Sequence, residues 1–196
     1  MELTEIVPGP EALRALSHPV RLRMLGLLRH DGPSTASALA ARLGLNSGAT
    51  SYHLRQLAQH GFVVDDETRG NGRDRWWRAA HTSTLTREER TPEEREAVDA
   101  FAQAVAIVHT EQLQAAIEDR PLLPLAWREA STISDWTVKL TAARAETLTK
   151  TLMELVRTWQ EDDDEDGDDF IVTLHAFPRP GTLVSADEDG EPGATP

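Results

Sequence analysis

The sequence contains no cysteine, and this absence excludes several kinds of chemistry at once. Disulfide bonds, thiolate metal sites and cysteine nucleophiles cannot form, and the expected location is the cytoplasm. No apolar run reaches the length of about 18 residues that a membrane-spanning helix needs. The first residues also lack the basic and apolar regions of a secretory signal, so none is expected.

Positive charge is scarce and unevenly distributed, and the formal net charge is −13. Residues 1–80 contain 10 basic and 8 acidic residues, whereas residues 81–196 contain 10 basic and 25 acidic residues. The front of the chain is therefore weakly basic, at +2, and the rear is strongly acidic, at −15. Because binding to a polyanion depends on the local surface, the acidic total does not exclude nucleic acid as a partner.

Apolar spacing and turn residues predict four helices followed by a hairpin in the first 80 residues. The helices are expected at 11–17, 20–30, 36–43 and 46–60. Two strands are expected at 62–67 and 74–79, joined by a Gly/Asn-rich tip. Trp76 and Trp77 alternate across the second strand, so one of them should pack on the core. This order of elements is typical of a winged helix-turn-helix.

The second half predicts a long helix at 93–119, a strand at 133–141, a helix at 142–159 and a strand at 170–177. The fold class is therefore α+β, mainly α. Six residues of the later helix are expected to face inward: Ala145, Leu148, Leu152, Leu155, Val156 and Trp159.

Three domains are expected from these elements. Residues 1–88 are expected to form a winged helix-turn-helix DNA-binding domain, and residues 89–178 a dimerisation domain that could also sense an effector. Residues 179–196, rich in proline, glycine and acidic residues, form a disordered tail.

The helix at 46–60 combines a core face with a face suited to the major groove. Thr50, Leu54 and Leu57 are expected to be buried, and no acidic residue occurs between Asn46 and His60. A carboxylate there would repel DNA phosphates. The opposite side, called here the recognition face, carries small hydrogen-bonding groups, an aromatic ring and an arginine. Its members are Ser47, Gly48, Ser51, Tyr52 and Arg55.

A second set of residues is expected to contact the DNA backbone. Arginines beside glycines at a hairpin tip suit phosphate contacts or insertion into a narrow minor groove. The predicted contacts are Thr35, Arg69, Asn71, Arg73 and Arg75. His53 is expected to pack or to lie on the phosphate side rather than to read bases.

Three blocks of sequence resemble the ArsR-type winged-helix repressors. Leu16–Leu22 (LSHPVRL) is similar to the opening of their DNA-binding domain. Ser51–Val63 (SYHLxxLxxxGFV) is similar to their recognition helix and its exit, and Gly72–His81 (GRDRWWRAAH) to the wing of an actinobacterial subgroup. The resemblance covers roughly residues 10–85. It implies a homodimer that binds a palindromic operator and usually represses transcription.

The chain departs from the founding members of that family because it lacks the cysteines with which they sense metals. No metal site or cofactor is therefore expected. The acidic run Glu161–Asp169 is interpreted as a solvated linker, because Thr173 stands where a calcium loop needs a bidentate glutamate. No arrangement of catalytic residues is recognisable, so an enzyme is not expected.

A helix-turn-helix dimer must hold two DNA-binding units at a spacing set by the DNA turn. The long helix carries an apolar stripe that could pair with its symmetry mate: Val98, Phe101, Val105 and Val108.

Two other functions stay open at this point. The rear domain could bind a small apolar effector near Trp127, Trp136 and Trp159. Alternatively, the winged helix could be a protein-interaction module, with the acidic rear contacting a basic partner.

Overall fold

The computed structural model describes residues 4–69, 74–86, 90–159 and 167–182. Two compact units are distinguished, Met1–Ala130 and Ser131–Pro196. The helices of the first unit are α1 (Pro10–Leu16), α2 (Pro19–His30), α3 (Ala36–Leu43), α4 (Ser47–Gln59), α5 (Pro92–Asp119) and α6 (Leu125–Ala130). Its strands are β1 (Glu5–Ile6), β2 (Ser34–Thr35), β3 (Val63–Asp65), β4 (Trp76–Ala79) and β5 (Ser83–Thr84). The second unit contains α7 (Ala142–Arg157).

The mainly helical α+β class is confirmed, as are the four N-terminal helices and the two strands of the hairpin. The first unit has one core, to which α1 to α4 and the hairpin contribute. Its members are Leu16, Met24, Leu25, Leu28, Leu39, Leu54, Leu57, Phe62, Val63 and Trp77. Of the two adjacent tryptophans, Trp77 is the buried one, and Trp76 is half-buried.

The hairpin belongs to a three-stranded antiparallel sheet in the order β2-β4-β3. Val63 pairs with Ala79, and Asp65 with Trp77. On the other edge of β4, Ser34 pairs with Trp77, so the short strand β2 joins the hairpin to the start of α3.

A second, smaller sheet was not predicted. β1 and β5 pair in parallel, with Glu5 opposite Ser83. Arg29 of α2 stabilises this region by donating from Nε to the His81 carbonyl, at 2.9 Å, and from a terminal nitrogen to Thr84 Oγ1, at 2.8 Å. Burial lowers the pKa of Arg29 to about 10. Two-residue strands carry no periodic pattern, which explains why the sequence did not indicate them.

The long helix α5 begins with a capping box, in which Thr91 and Glu94 each accept from the other's backbone N–H. It packs against α1 and α2, and buries Ala97 and Ala104 there. Arg14 of α1 lies 2.9 Å from a carboxylate oxygen of Glu93 at the start of α5. Helix α5 is therefore part of the first unit, together with α1 to α4.

The second unit differs from its prediction in two ways. Neither 133–141 nor 170–177 is a strand in the structure, although both were predicted to be strands. The helix prediction is confirmed, but the six residues expected inward are half-buried at most, and Trp159 is 75% exposed. Both differences have the same cause. No described residue of 131–182 is buried, so these residues offer no core that would cover an apolar face and no second strand for pairing.

Within the described residues, no helix is long and apolar enough to cross a membrane.

Candidate nucleic-acid interface

Helix α4 is held at both ends by local hydrogen bonds. Asn46 caps its N-terminus, where its side-chain oxygen accepts from the N–H of Ala49 at 2.8 Å. At the other end Gly61 has φ +77°, a conformation that residues with a Cβ adopt only with strain. The N–H of Phe62 then donates to the carbonyl of Leu57 at 2.9 Å, which closes the helix and turns the chain into the hairpin.

The inner face of α4 is confirmed as predicted. Leu54 and Thr50 are fully buried, and Leu57 is 1% exposed. The Thr50 hydroxyl donates to the Asn46 carbonyl at 3.1 Å, so its polar group is satisfied within the helix. This packing determines which side of α4 turns outward.

The recognition face does point outward. Ser47, Gly48, Tyr52 and Arg55 are exposed, and Ser51 is half-buried. Tyr52 is 53% exposed, which leaves its ring available for contact. The Nε of Arg55 donates to the Ser51 carbonyl one turn earlier, at 3.1 Å, so its side chain lies along this face.

The local structure explains why a glycine is suited to position 48, apart from its predicted contact with DNA. A Cβ at this position would meet the side-chain oxygen of Asn46 at 3.3 Å, closer than most real Cβ contacts. Since that oxygen caps α4, a larger residue at 48 would press on the cap. The absence of a side chain also lets the backbone at the start of α4 approach another molecule closely.

Behind the recognition face, two histidines connect α2 to α4. The ring centroids of His18 and His53 lie 4.8 Å apart, and Tyr52 approaches His53 edge-on at 5.5 Å. His18 caps α2, with Nδ1 accepting from the N–H of Val20 at 3.2 Å. Burial, followed by the positive charges of His18 and Arg21, lowers the pKa of His53. His53 is half-buried.

The hairpin positions two of the predicted arginines through acidic and aromatic neighbours. Arg75 lies 2.6 Å from an oxygen of Asp65 and stacks over the Trp77 ring, 4.0 Å from its centroid. Arg69 lies 5.8 Å from the centroid of the Trp76 ring and 3.9 Å from Asp66. Asn71 and Arg73, at the tip, lie outside the described residues.

Sequence reasoning missed the role of the acidic residues in the hairpin. Asp66 is 6% exposed, and its carboxylate accepts from the Thr68 hydroxyl at 2.6 Å. This hydrogen bond lowers the pKa of Asp66, so the carboxylate stays charged. Asp65 holds Arg75 in an ion pair, so the predicted phosphate contact of Arg75 has an acidic neighbour. The sequence carried a signal for this pair, since Asp65 and Arg75 have opposite charges and lie on the two predicted strands of the hairpin. In the structure Asp65 is opposite Trp77, so Arg75 is its diagonal neighbour on the same side.

Thr35 caps α3, because its hydroxyl accepts from the N–H of Ala38 at 3.2 Å. It is half-buried and pairs with Trp76 in the sheet. Its position has a structural explanation that does not need DNA.

The four residues of the predicted dimer stripe, Val98, Phe101, Val105 and Val108, are all half-buried. Phe101 packs against the core of the first unit, so the stripe has partners within the chain as well. On other sides of α5, Ile107, Leu113 and Ile117 are 47 to 49% exposed.

The tryptophans considered for effector binding are not enclosed. Trp136 is 82% exposed and Trp159 is 75% exposed, while Trp127 of α6 is half-buried. Across the described residues, no group of three or more histidines, aspartates or glutamates could hold a metal ion.

Part of the first unit matches a known protein family. Residues 16–66 match the family model of a helix-turn-helix domain. These residues run from the end of α1 to just beyond β3, and they include both the core face and the recognition face of α4. No curated protein matches the chain.

Three solved structures are similar to the chain. A possible transcriptional regulator for arsenical resistance is 28% identical, over 53% of this chain and 93% of that one, with a TM-score of 0.32. The apo form of a double mutant of Lactococcus lactis ZitR is 17% identical, over 72% and 82%, with a TM-score of 0.31. RV1404 from Mycobacterium tuberculosis is 16% identical, over 76% and 84%, with a TM-score of 0.30.

Residues 16–66 therefore form a helix-turn-helix domain, and the hairpin β3–β4 completes it as a winged helix-turn-helix.

Proposed function

We propose that this protein is a homodimeric repressor that binds a palindromic operator and acts by occluding it. The recognition face of α4 carries the proposal: it is exposed, it holds no acidic residue, and the buried Thr50, Leu54 and Leu57 on the opposite side prevent the helix from rotating. Tyr52 and Arg55 are the proposed readers of base edges, with Ser47, Gly48 and Ser51 approaching the backbone or bases.

The flanking contacts are assigned to the hairpin. Arg69 and Arg75 are exposed on its two sides, and each lies beside an acidic residue that a phosphate could replace as partner. We assign the same role to Asn71 and Arg73 at the tip, and a backbone contact to Thr35 at the start of α3.

Dimerisation is assigned to the rest of the chain. A helix-turn-helix dimer reads two half-sites about 34–36 Å apart, so its two copies must be held rigidly. Helix α5 supports this role, since Val98, Phe101, Val105 and Val108 are only half-buried within one chain. In this division residues 1–88 bind DNA, residues 89–178 dimerise, and the tail from 179 contributes to neither. Acting on chromosomal DNA requires a cytoplasmic location.

The test is binding of the purified protein to the DNA upstream of its own gene, measured by fluorescence anisotropy at several salt concentrations with a random fragment as control. We expect the upstream fragment to bind more tightly, and the affinity to fall steeply as salt rises, because cations are released from the phosphates. The stoichiometry should be two chains per site. Equal affinity for both fragments would refute specific recognition at that locus, and no affinity at low salt would favour the protein-interaction function.

A further inference from the structure

Residues 133–141 carry a strand pattern but lie in no sheet of the described structure. Trp136, Val138 and Leu140 alternate with Asp135, Thr137 and Lys139, which separates an apolar from a polar side if the segment is a strand. Trp136 is 82% exposed and Val138 is 63% exposed. Another strand would supply hydrogen-bond partners for the backbone N–H and C=O groups of such a segment. A second layer would cover its apolar side.

The helix that follows supplies such a layer. Helix α7 begins at Ala142, directly after the segment, and none of its residues is buried. Its apolar side remains open to solvent, with Leu148 42% exposed and Leu155 54% exposed. Apolar side chains this concentrated in one short unit mark a surface that a macromolecular partner covers.

The sequence of the segment suits antiparallel pairing with an identical segment. If it pairs with an identical segment running in the opposite direction, centred on Thr137, then Asp135 faces Lys139 and Trp136 faces Val138. Both are favourable cross-strand pairs, an ion pair and an aromatic residue against a β-branched one. Thr137 faces itself on the two-fold axis, and every pair occurs twice.

Other arrangements lose this complementarity. A parallel, in-register pairing would place Asp135 beside Asp135 and Lys139 beside Lys139 of the two copies, which is unfavourable. An antiparallel pairing displaced by one residue would oppose apolar and polar sides. Displacements by two residues keep the sides matched but leave Asp135 opposite a threonine.

We propose that residues 133–141 form an antiparallel two-stranded ribbon with the same residues of a second copy of this chain, centred on Thr137. This inference rests on the proposed homodimer and adds a specific interface to it. A two-stranded ribbon is marginal in water by itself, and the apolar sides of the two α7 helices cover it. The self-complementary pairing is what a two-fold interface requires, since the same patch must serve on both copies.

The absence of cysteine makes a crosslinking test clean, because each variant has one thiol per chain. In Thr137→Cys the two thiols face each other across the axis, and we expect mild oxidation to give a covalent dimer on a non-reducing gel. The matched control is Ser134→Cys, whose thiols would be separated by six residues of strand, about 20 Å. Equal crosslinking of both variants, or of neither, in a protein that light scattering shows to be dimeric would overturn the ribbon.

Charge exchange tests the register independently. Lys139→Asp places carboxylates opposite each other twice per dimer, and we expect it to raise the dimer dissociation constant about tenfold. Adding Asp135→Lys restores opposite charges and should recover the dimer. If the double variant is as weak as the single variant, the two positions do not face each other and the register is wrong.

The two proposals can fail separately. Salt-dependent operator binding by a dimer that shows no selective Thr137→Cys crosslink overturns the ribbon and leaves the repressor intact. Selective crosslinking in a protein without DNA affinity supports the ribbon and overturns the repressor. A chain that stays monomeric at all concentrations, with or without DNA, overturns the ribbon and the homodimer together.

Discussion

The imidazole rings of His18 and His53 lie 4.8 Å apart and connect the N-terminus of α2 to the middle of α4. His18 accepts a backbone N–H at the start of α2, while His53 lies one position from Tyr52 of the recognition face. The orientation of α4 is thus coupled to two imidazole rings, whose protonation changes their charge.

This pair predicts a pH dependence of stability. Burial is the main cause that lowers the pKa of both histidines, and the nearby guanidinium of Arg21 adds to it. Because the folded protein favours the neutral rings, their contribution to stability is complete above the unfolded pKa of about 6.5. It is lost as the pH falls from there through the lower, folded pKa values.

We therefore expect the melting temperature to fall between pH 7.5 and pH 5.5, as measured by circular dichroism. The variant His18→Gln/His53→Gln should show a smaller fall over the same range. His30→Gln, at an exposed position at the end of α2, is the control and should keep the wild-type dependence. The same slope in the double variant as in wild type would show that these rings do not cause it.

We expect removal of the Arg55 side chain to weaken specific DNA binding. Its exposed side chain lies along the recognition face, so Arg55→Ala should weaken operator binding by about 1–3 kcal/mol and change random-DNA binding far less. Arg144→Ala is the control, because it removes one positive charge outside the helix-turn-helix domain. Equal losses in the two variants would mean that Arg55 contributes only general charge.

The ion pair between Asp65 and Arg75 predicts opposite effects of its two partners on DNA affinity. Asp65→Asn releases Arg75 and removes a negative charge from the hairpin, so affinity for random DNA should rise a few-fold. Arg75→Ala should lower affinity and reduce the salt slope by about 1. Both variants should unfold within about 1 kcal/mol of wild type, since exposed ion pairs contribute little to stability. A lower random-DNA affinity in Asp65→Asn would contradict this assignment.

We expect alanine to change the free energy of unfolding in opposite directions at Gly61 and at Gly26. Gly61 has φ +77° at the exit of α4, so Gly61→Ala should destabilise the protein by about 1–2 kcal/mol. Gly26 lies within α2, and a Cβ added there would have no neighbouring atom within 4 Å, so Gly26→Ala should stabilise the protein by about 1 kcal/mol. Urea denaturation measures both. Destabilisation by Gly26→Ala would show that α2 has less room than its geometry indicates.

Much of the first unit could be predicted from the sequence because its signals are local. Asn46 and Gly61 mark the ends of α4, and the 3.6-residue spacing of Thr50, Leu54 and Leu57 identifies its buried side. The recognition face follows from these positions by exclusion. Its exposure in the structure agrees with that reasoning, and its contact with DNA stays a prediction.

The predictions that were wrong concern segments that need another segment packed or paired against them. Residues 133–141 alternate as a strand does, yet a strand exists only beside another strand, and the described part of one chain supplies none there. The apolar side of α7 was expected inward, but helical periodicity states only that one side is apolar. It does not say whether the cover is the same chain or another.

The sequence by itself determined the helices, the hairpin and the acid-free face of α4, because capping, turn conformation and apolar periodicity act between residues close in the chain. Only the tertiary structure decided that Trp77 rather than Trp76 enters the core, and that α5 packs on α1 and α2. It also decided that Asp65 holds Arg75 and that His18 meets His53. These relationships join residues 10 to 90 positions apart, and their energies depend on distances that no local pattern encodes.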